Sequence, residues 1–302
     1  MSTTYHIPVM LNECLEGLAI KPDGVYVDVT FGGGGHSKAI LQVLSEKGRV
    51  IAFDQDEDAK RNLPQDSRFI FIDQNFEYIS NHLLYQGFGE VDGILADLGV
   101  SSHQFDEGSR GFSYRYDEAA LDMRMNNTVG TSAADILNTA DEDSIANIFY
   151  LYGELNHSKA MAKKIIAGRL SKRIHTIGDL KITLQSFAPK FNDYKFWGQV
   201  FQALRIEVNN ELVVLKKFLE QCSMLIKPGG RLVVMSYHSL EDRLVKHFIQ
   251  SGNVEGKLEK DFYGNLIKPF NAINRKAITA NDNELHLNNR ARSAKLRIAE
   301  KV

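Results

Sequence analysis

The chain has 302 residues, 43% hydrophobic and 25% charged, with a net charge of −2, a composition that supports a globular fold with a sizeable core. It contains no apolar run of about 18 residues, so a membrane span is not expected. Two cysteines, Cys14 and Cys222, are too few for a disulfide framework or a metal set, and the expected address is cytoplasmic.

The small net charge conceals an asymmetry. Residues 1–150 hold 10 basic and 24 acidic side chains (−14), residues 151–205 hold 10 and 3 (+7), and residues 206–302 hold 16 and 11 (+5). A polyanionic partner for the second half would explain this, and ordinary variation along a chain would too. Met1–Val9 lacks a basic stretch followed by an apolar one, so no signal peptide is expected.

In chain order, Met10–Leu18 predicts a helix with Leu11, Cys14, Leu15 and Leu18 on one face. Strands are expected at Val25–Thr30, Val50–Asp54, Phe69–Asp73 and Val91–Asp97, with helical stretches between them. This alternation predicts an α/β fold with a parallel sheet covered by helices. Asp28, Asp54, Asp73 and Asp97 then fall at the carboxyl ends of the strands, where such sheets bind ligands.

The first strand runs into Gly32-Gly33-Gly34-Gly35 and then a helix from His36 to about Ser45. Strand, glycine loop and helix make a cradle for a nucleotide-like ligand. The pattern Gly32-x-Gly34-x-x-Ser37 misses the dinucleotide fingerprint at its third glycine. Asp54 lies 19 residues after Gly35, where an acid can accept hydrogen bonds from both ribose hydroxyls. Capping a helix that starts near Glu57 is the alternative role.

Residues 101–130 read as loop. From Ser132 to about Gln202 the pattern is helical only: a helix opened by Ser132-Ala133-Ala134-Asp135, then Asp141–Tyr152, His157–Arg169 and Thr176–Phe187. In the third, Lys159, Lys163, Lys164 and Arg169 face largely outward. A helix at about Glu207–Leu225 follows, then a tight turn at Lys227-Pro228-Gly229-Gly230 and a strand from Arg231 to Ser236. The last strand is expected at Ser293–Ala299. Residues 251–289 read as a long flexible excursion.

The helix, the Lys-Pro-Gly-Gly turn and the buried strand after it resemble the late part of Rossmann-like S-adenosylmethionine methyltransferases. Longer strings narrow the resemblance: Phe31-Gly32-x-Gly34-Gly35-His36-Ser37, Asp97-Leu98-Gly99-Val100-Ser101-Ser102-x-Gln104-x-Asp106, Arg110-Gly111-Phe112-Ser113, Leu121-Asp122-Met123-Arg124-Met125, Phe201-Gln202-Ala203-Leu204-Arg205-Ile206, His238-Ser239-Leu240-Glu241-Asp242-Arg243 and Arg290-Ala291-Arg292-Ser293-Ala294. Together they resemble the ribosomal small-subunit methyltransferase H family, also called MraW, over nearly the whole chain. Two departures stand out: Trp197-Gly198-Gln199-Val200, where members often carry Thr before Phe201 with Arg nearby, and Asn289, where many have Pro.

The resemblance implies methyl transfer from S-adenosylmethionine to N4 of a decoding-centre (P-site) cytidine in 16S rRNA. It implies a Rossmann-like core, residues 1–106 and 201–302, interrupted by an all-helical insert, residues 107–200, that engages RNA. By position, the cofactor contacts are Gly34, Gly35, His36, Asp54, Phe76, Asp97 and Gln104. Asp97 also stands where a carboxylate could hold the cytosine amine, and His238 is a second catalytic candidate, with Ser239 expected to cap the helix after it. Arg110, Phe112, Arg124 and Arg205 are RNA candidates because arginine and aromatic side chains flank the pocket-forming segments. Lys163, Lys164 and Arg169 join them from the basic stretch, with Arg290 and Arg292.

Attack at cytosine C5 would need a thiolate. Neither cysteine is expected beside the Asp97 loop. No Pro-Pro-aromatic clamp follows Asp97, so the N4 target rests on the resemblance. A nicotinamide-dependent oxidoreductase would share the glycine loop and Asp54 but lacks an evident acid–base pair. A non-enzymatic assembly factor would keep the basic insert alone. Monomer and homodimer both remain open.

Overall fold

The four β-branched runs of the first hundred residues form four parallel strands of one sheet. The computed structural model describes residues 8–302; most of the stretch read for a signal peptide lies outside them. The early strands are β1 (Val25–Asp28), β2 (Arg49–Phe53), β3 (Phe69–Ile72) and β4 (Val91–Asp97), and β5 (Ile226–Ser236), β6 (Phe270–Ala272) and β7 (Lys295–Lys301) come late in the chain. The sheet order is β3-β2-β1-β4-β5-β7-β6. β1 to β5 are parallel neighbours, and β7 runs antiparallel to β5 and β6.

The order reverses between β1 and β4, and that switch opens a crevice at the carboxyl ends of these two strands. The strands bury both faces, as a parallel sheet must. Tyr26, Val50, Leu95, Val233 and Met235 pack on one face with Cys14, Leu18 and Ile40 from the first two helices. Val27, Ile51, Ile94, Leu232 and Val234 pack on the other with Leu83, Phe218 and Phe248. The expected α/β, Rossmann-like class is the observed one.

The chain divides into two compact units. The first comprises the described residues up to Gly99 together with Leu212–Val302, and contains the sheet. The second, Val100–Glu211, has α-helices at Ser102–Asp106, Ala133–Thr139, Glu142–Leu151, Ser158–Ser171, Ile177–Leu184 and Tyr194–Asn209. Its core includes Leu137, Phe149, Met161, Ile165, Leu180 and Trp197. Val100 and Phe105 at one end, and Phe201 and Leu204 at the other, pack with that core. The unit is therefore longer than the expected insert, residues 107–200.

Several local expectations are corrected. The helix expected at Glu207–Leu225 begins at Glu211, because Asn210 takes a left-handed φ of 51° and ends the preceding helix. Lys-Pro-Gly-Gly is an irregularity inside β5 and not a turn before it: pairing with β4 steps from Val91↔Ile226 to Gly93↔Arg231. The last strand starts at Lys295, since Asn289–Ser293 forms a 3-10 turn. Loop 101–130 holds a short helix, and residues 251–289 hold β6, a helix at Asp282–Leu287 and a Lys260↔Leu266 bridge.

Candidate active site

The glycine loop is built by the sheet beneath it. Val29 N–H donates to the Leu95 carbonyl and Phe31 N–H to Phe53, so the segment after β1 stays anchored between its neighbours. The loop then turns back on itself, with Gly34 N–H donating to the Phe31 carbonyl at 2.7 Å. Gly34 has a φ of +76°, and a Cβ there would also lie 2.7 Å from the Phe31 ring. A Cβ at Gly35 would strike Pro8, whereas at Gly33 it would meet nothing within 4 Å. Glycine is thus required by packing at two positions, and the third leaves open space for a ligand. The helix Gly35–Val43 follows without a side-chain cap, and its N-terminus favours an anionic group.

Asp28 organises this loop. Its carboxylate accepts from the Ser37 hydroxyl at 2.7 Å and from Thr30 N–H at 3.1 Å. It is 1% exposed. Ser37, the residue that spoils the dinucleotide fingerprint, is thus fastened to β1 by its own hydroxyl.

Asp54 follows β2. Oδ2 accepts from Gly32 N–H at 2.7 Å and Oδ1 from Asp56 N–H at 2.8 Å. Each oxygen keeps a further lone pair, which suits the two hydroxyls of a ribose. Burial raises its pKa to about 6 against these stabilising N–H contacts. Its alternative role as helix cap is removed, because Asp56 caps Glu57–Asn62 through Asp58 N–H. Phe76 starts a turn beyond β3, half-buried, with its ring edge-on to Phe218 at 5.3 Å.

Asp97, at the end of β4, has a worked environment. Its N–H donates to the Thr30 hydroxyl at 2.7 Å, and the Tyr237 hydroxyl donates to Oδ1 at 2.7 Å. His36 Nδ1 stands 4.0 Å from Oδ2, and its Nε2 lies 3.2 Å from the Val9 carbonyl. Only Nε2–H can satisfy a carbonyl, so that contact sets the ring's orientation. Burial pushes the Asp97 carboxyl up to about 6, with His36 and the Tyr237 bond opposing that rise. Tyr237 escaped the sequence reading. The one signal was its place immediately before the His238 string.

The expectation about cysteines needs correction for Cys14. It lies close enough for Asp97 and Asp28 to raise its thiol pKa, after burial, which is the larger cause. Fully buried and held protonated, it is no nucleophile. Cys222, also buried, is pushed up in the same direction by desolvation.

His238 serves the fold through Nδ1, while its Nε2 stands 3.2 Å from a Glu241 carboxylate oxygen. It, and not Ser239, is the N-cap of helix Ser239–Ser251: Nδ1 accepts from Glu241 N–H at 3.4 Å, and the Glu241 carboxylate accepts from Tyr237 N–H at 2.9 Å. This cap holds Tyr237 in position beneath Asp97.

Within the second unit, Gln104 is buried and closes a capping box with Ser101. Arg110 is 7% exposed and donates to the Arg124 and Met125 carbonyls, and Phe112 lies in the core. Arg124 forms a bidentate pair with Asp122, and Arg205 with Glu211. Arg169 donates to the Leu137 and Ala140 carbonyls at the end of another helix. These arginines, expected as RNA contacts, are engaged within the unit, because part-buried carbonyls and carboxylates claim them. Lys163 and Lys164 are exposed on Ser158–Ser171. In the first unit, Arg292 is exposed and Arg290 half-buried.

A sheet in the order β3-β2-β1-β4-β5-β7-β6 with β7 antiparallel, together with a cradle of glycines and an acid with spare lone pairs after β2, fits one class: Rossmann-like methyltransferases that use S-adenosylmethionine. The residues present fit that cofactor: Asp54 keeps a lone pair free on each oxygen, and the backbone at Gly33 faces open space. The chain belongs to the MraW methylase family, whose pattern matches residues 3–302. A ribosomal RNA small subunit methyltransferase H from Parabacteroides distasonis is 56% identical over 299 residues, covering 99% of this chain and 98% of that protein. The namesake from Flavobacterium johnsoniae is 53% identical over 304 residues, with both chains covered completely. The resemblance read from the strings is borne out.

Proposed function

We propose that this chain methylates N4 of a cytidine in small-subunit rRNA, at the P-site of the decoding centre. The observation that carries the reading is Asp97: a carboxylate at the switch-point end of β4, held by Tyr237 and raised in basicity by burial. The relatives' shared name supports the small-subunit rRNA, and the family resemblance supports the position and the N4 atom.

When bound, S-adenosylmethionine supplies an electrophilic methyl carbon on a sulfonium. The cytosine amine is a weak nucleophile because its lone pair is shared with the ring. Asp97, ionised, accepts a hydrogen bond from N4–H, which orients the amine and raises its electron density. The bound sulfonium would supply the methyl carbon to N4, with the electron pair of the broken C–S bond staying on sulfur. The proton leaves N4 for the Asp97 carboxylate, whose pKa near 6 makes it a better acceptor than an ordinary carboxylate. Tyr237 steadies the carboxylate throughout, since its phenol is pushed well above its ordinary value and stays a donor. No thiolate is needed, and the target base must be unstacked to reach the site. The insert, through Lys163 and Lys164, meets the RNA.

Treating unmethylated small-subunit rRNA with the enzyme and S-adenosylmethionine, then resolving nucleosides by mass spectrometry, tests the reading. N4-methylcytidine at a single position is expected. Methylation at C5 only, or on a ribose, overturns it.

A further inference from the structure

Residues 190–195 of the insert read Lys-Phe-Asn-Asp-Tyr-Lys. Phe191 is 86% exposed and Tyr194 62%, and Lys190 and Lys195 are exposed at either end. The turn beneath them is fixed. Asn192 takes a left-handed φ of 57°. Asp193 Oδ2 accepts from the Trp197 indole N–H at 3.0 Å. Trp197 is 1% exposed and packs edge-on against Phe196 at 5.0 Å. An anchored turn thus carries two rings that the fold leaves largely exposed.

Flat apolar faces bracketed by cations match a nucleic acid with unpaired bases. Bases stack on the rings while phosphates approach the ammonium groups. A duplex hides its base faces and fits less well. Charge favours a polyanion over an apolar protein partner, because Lys190 and Lys195 flank the rings and the one acid between them, Asp193, is bonded to the Trp197 indole. We propose that Lys190–Lys195 is a stacking platform for an unpaired segment of the RNA substrate. Phe191 and Tyr194 take bases, and Lys190 and Lys195 take phosphates. The proposal rests on the reading that the insert engages rRNA.

The chain's single tryptophan, Trp197, supplies a local readout. The full-length protein is titrated with an end-labelled single-stranded RNA and with a blunt duplex, following anisotropy at several salt concentrations and Trp197 emission. F191A/Y194A is expected to weaken single-strand binding by about tenfold or more with the salt slope unchanged, since stacking releases no counterions. K190A/K195A is expected to lower the slope by about 1.4, roughly 0.7 per phosphate contact. Trp197 emission should respond to single-stranded RNA in the wild type and not in F191A/Y194A. Unchanged emission without RNA, with unchanged S-adenosylmethionine affinity, shows that this variant is folded. Wild-type-like RNA binding by folded F191A/Y194A overturns the platform, as does an equal loss on the duplex, and both leave the insert's RNA role standing. Absence of RNA binding by the wild type overturns the insert reading and the platform with it.

Discussion

In the proposed reaction two carboxylates, Asp54 and Asp97, carry most of the site's chemistry. Asp54→Ala removes an acceptor with a lone pair free on each oxygen, so cofactor binding should weaken by about 1.5–3 kcal/mol by calorimetry. Unchanged affinity would assign Asp54 to the loop alone. Asp97 is ionised in the proposed mechanism, so that mechanism predicts wild-type turnover falling as pH drops through about 6. Its folded pKa lies above the ordinary 3.8, so it favours folding below about pH 4, and that contribution is lost as pH rises through about 6. Asp97→Asn should therefore raise the melting temperature at pH 7.5, by no more than about 3 kcal/mol of stability because a carboxyl 23% exposed is partly solvated. The gain should vanish below pH 4. Turnover should nonetheless fall by about 10²-fold or more. A stable but fully active variant would exclude a carboxylate role. Both acids were legible in sequence because each ends a β-branched run. Tyr237 was not: 140 positions separate it from Asp97, and the contact exists only because β4 and β5 are neighbours.

Elements in the insert divide their basic side chains between fold and surface. Periodicity places Lys163, Lys164 and Arg169 alike on the outer part of one helix. Only the structure shows that Arg169 reaches the open carbonyls of Leu137 and Ala140, where helix ends need donors. Arg169→Glu should thus lower stability by about 1–3 kcal/mol in urea melts. Lys163→Glu with Lys164→Glu should leave the melt unchanged while weakening RNA binding and flattening its salt dependence. An unchanged salt slope would make those lysines a solvated face. Helix starts were legible where a cap is spelled locally: Ser132 with Asp135 and Thr176 with Asp179 form capping boxes. The break at Asn210 was not, because apolar periodicity runs straight through it from Ile206 to Leu215. The strings Arg110–Ser113 and Leu121–Met125 read as surface chemistry but interlock as scaffold: Met123 N–H donates to the Arg110 carbonyl, and Asn209 bonds the Met123 carbonyl and Met125 N–H.

At the scale of the whole molecule, the alternation of strand and helix predicted the parallel sheet, but not its antiparallel end. β7 pairs with β5 across about 60 residues that hold the helix Ser239–Ser251 and a long polar stretch, where local pattern carries no pairing information. Charge also reads differently once units replace sequence windows. Val100–Glu211 holds 13 basic and 14 acidic residues, a balance of −1. An RNA face on this unit must therefore be local to the segment 151–205, and not a property of its net charge. The unit is continuous in sequence and owns a core that includes Trp197, Phe149 and Leu180. Residues 100–211 alone should therefore fold, giving a helical circular-dichroism spectrum and a cooperative melt followed by Trp197 emission. The fragment should bind single-stranded RNA with a salt slope close to that of the full chain, because the basic segment is retained. It should show no affinity for S-adenosylmethionine, since Asp54, Asp97 and the glycine loop are absent. A fragment that melts without cooperativity would show that its core depends on the rest of the chain. A folded fragment that ignores RNA would move the recognition surface to the sheet-bearing unit, where Arg292 is the exposed candidate.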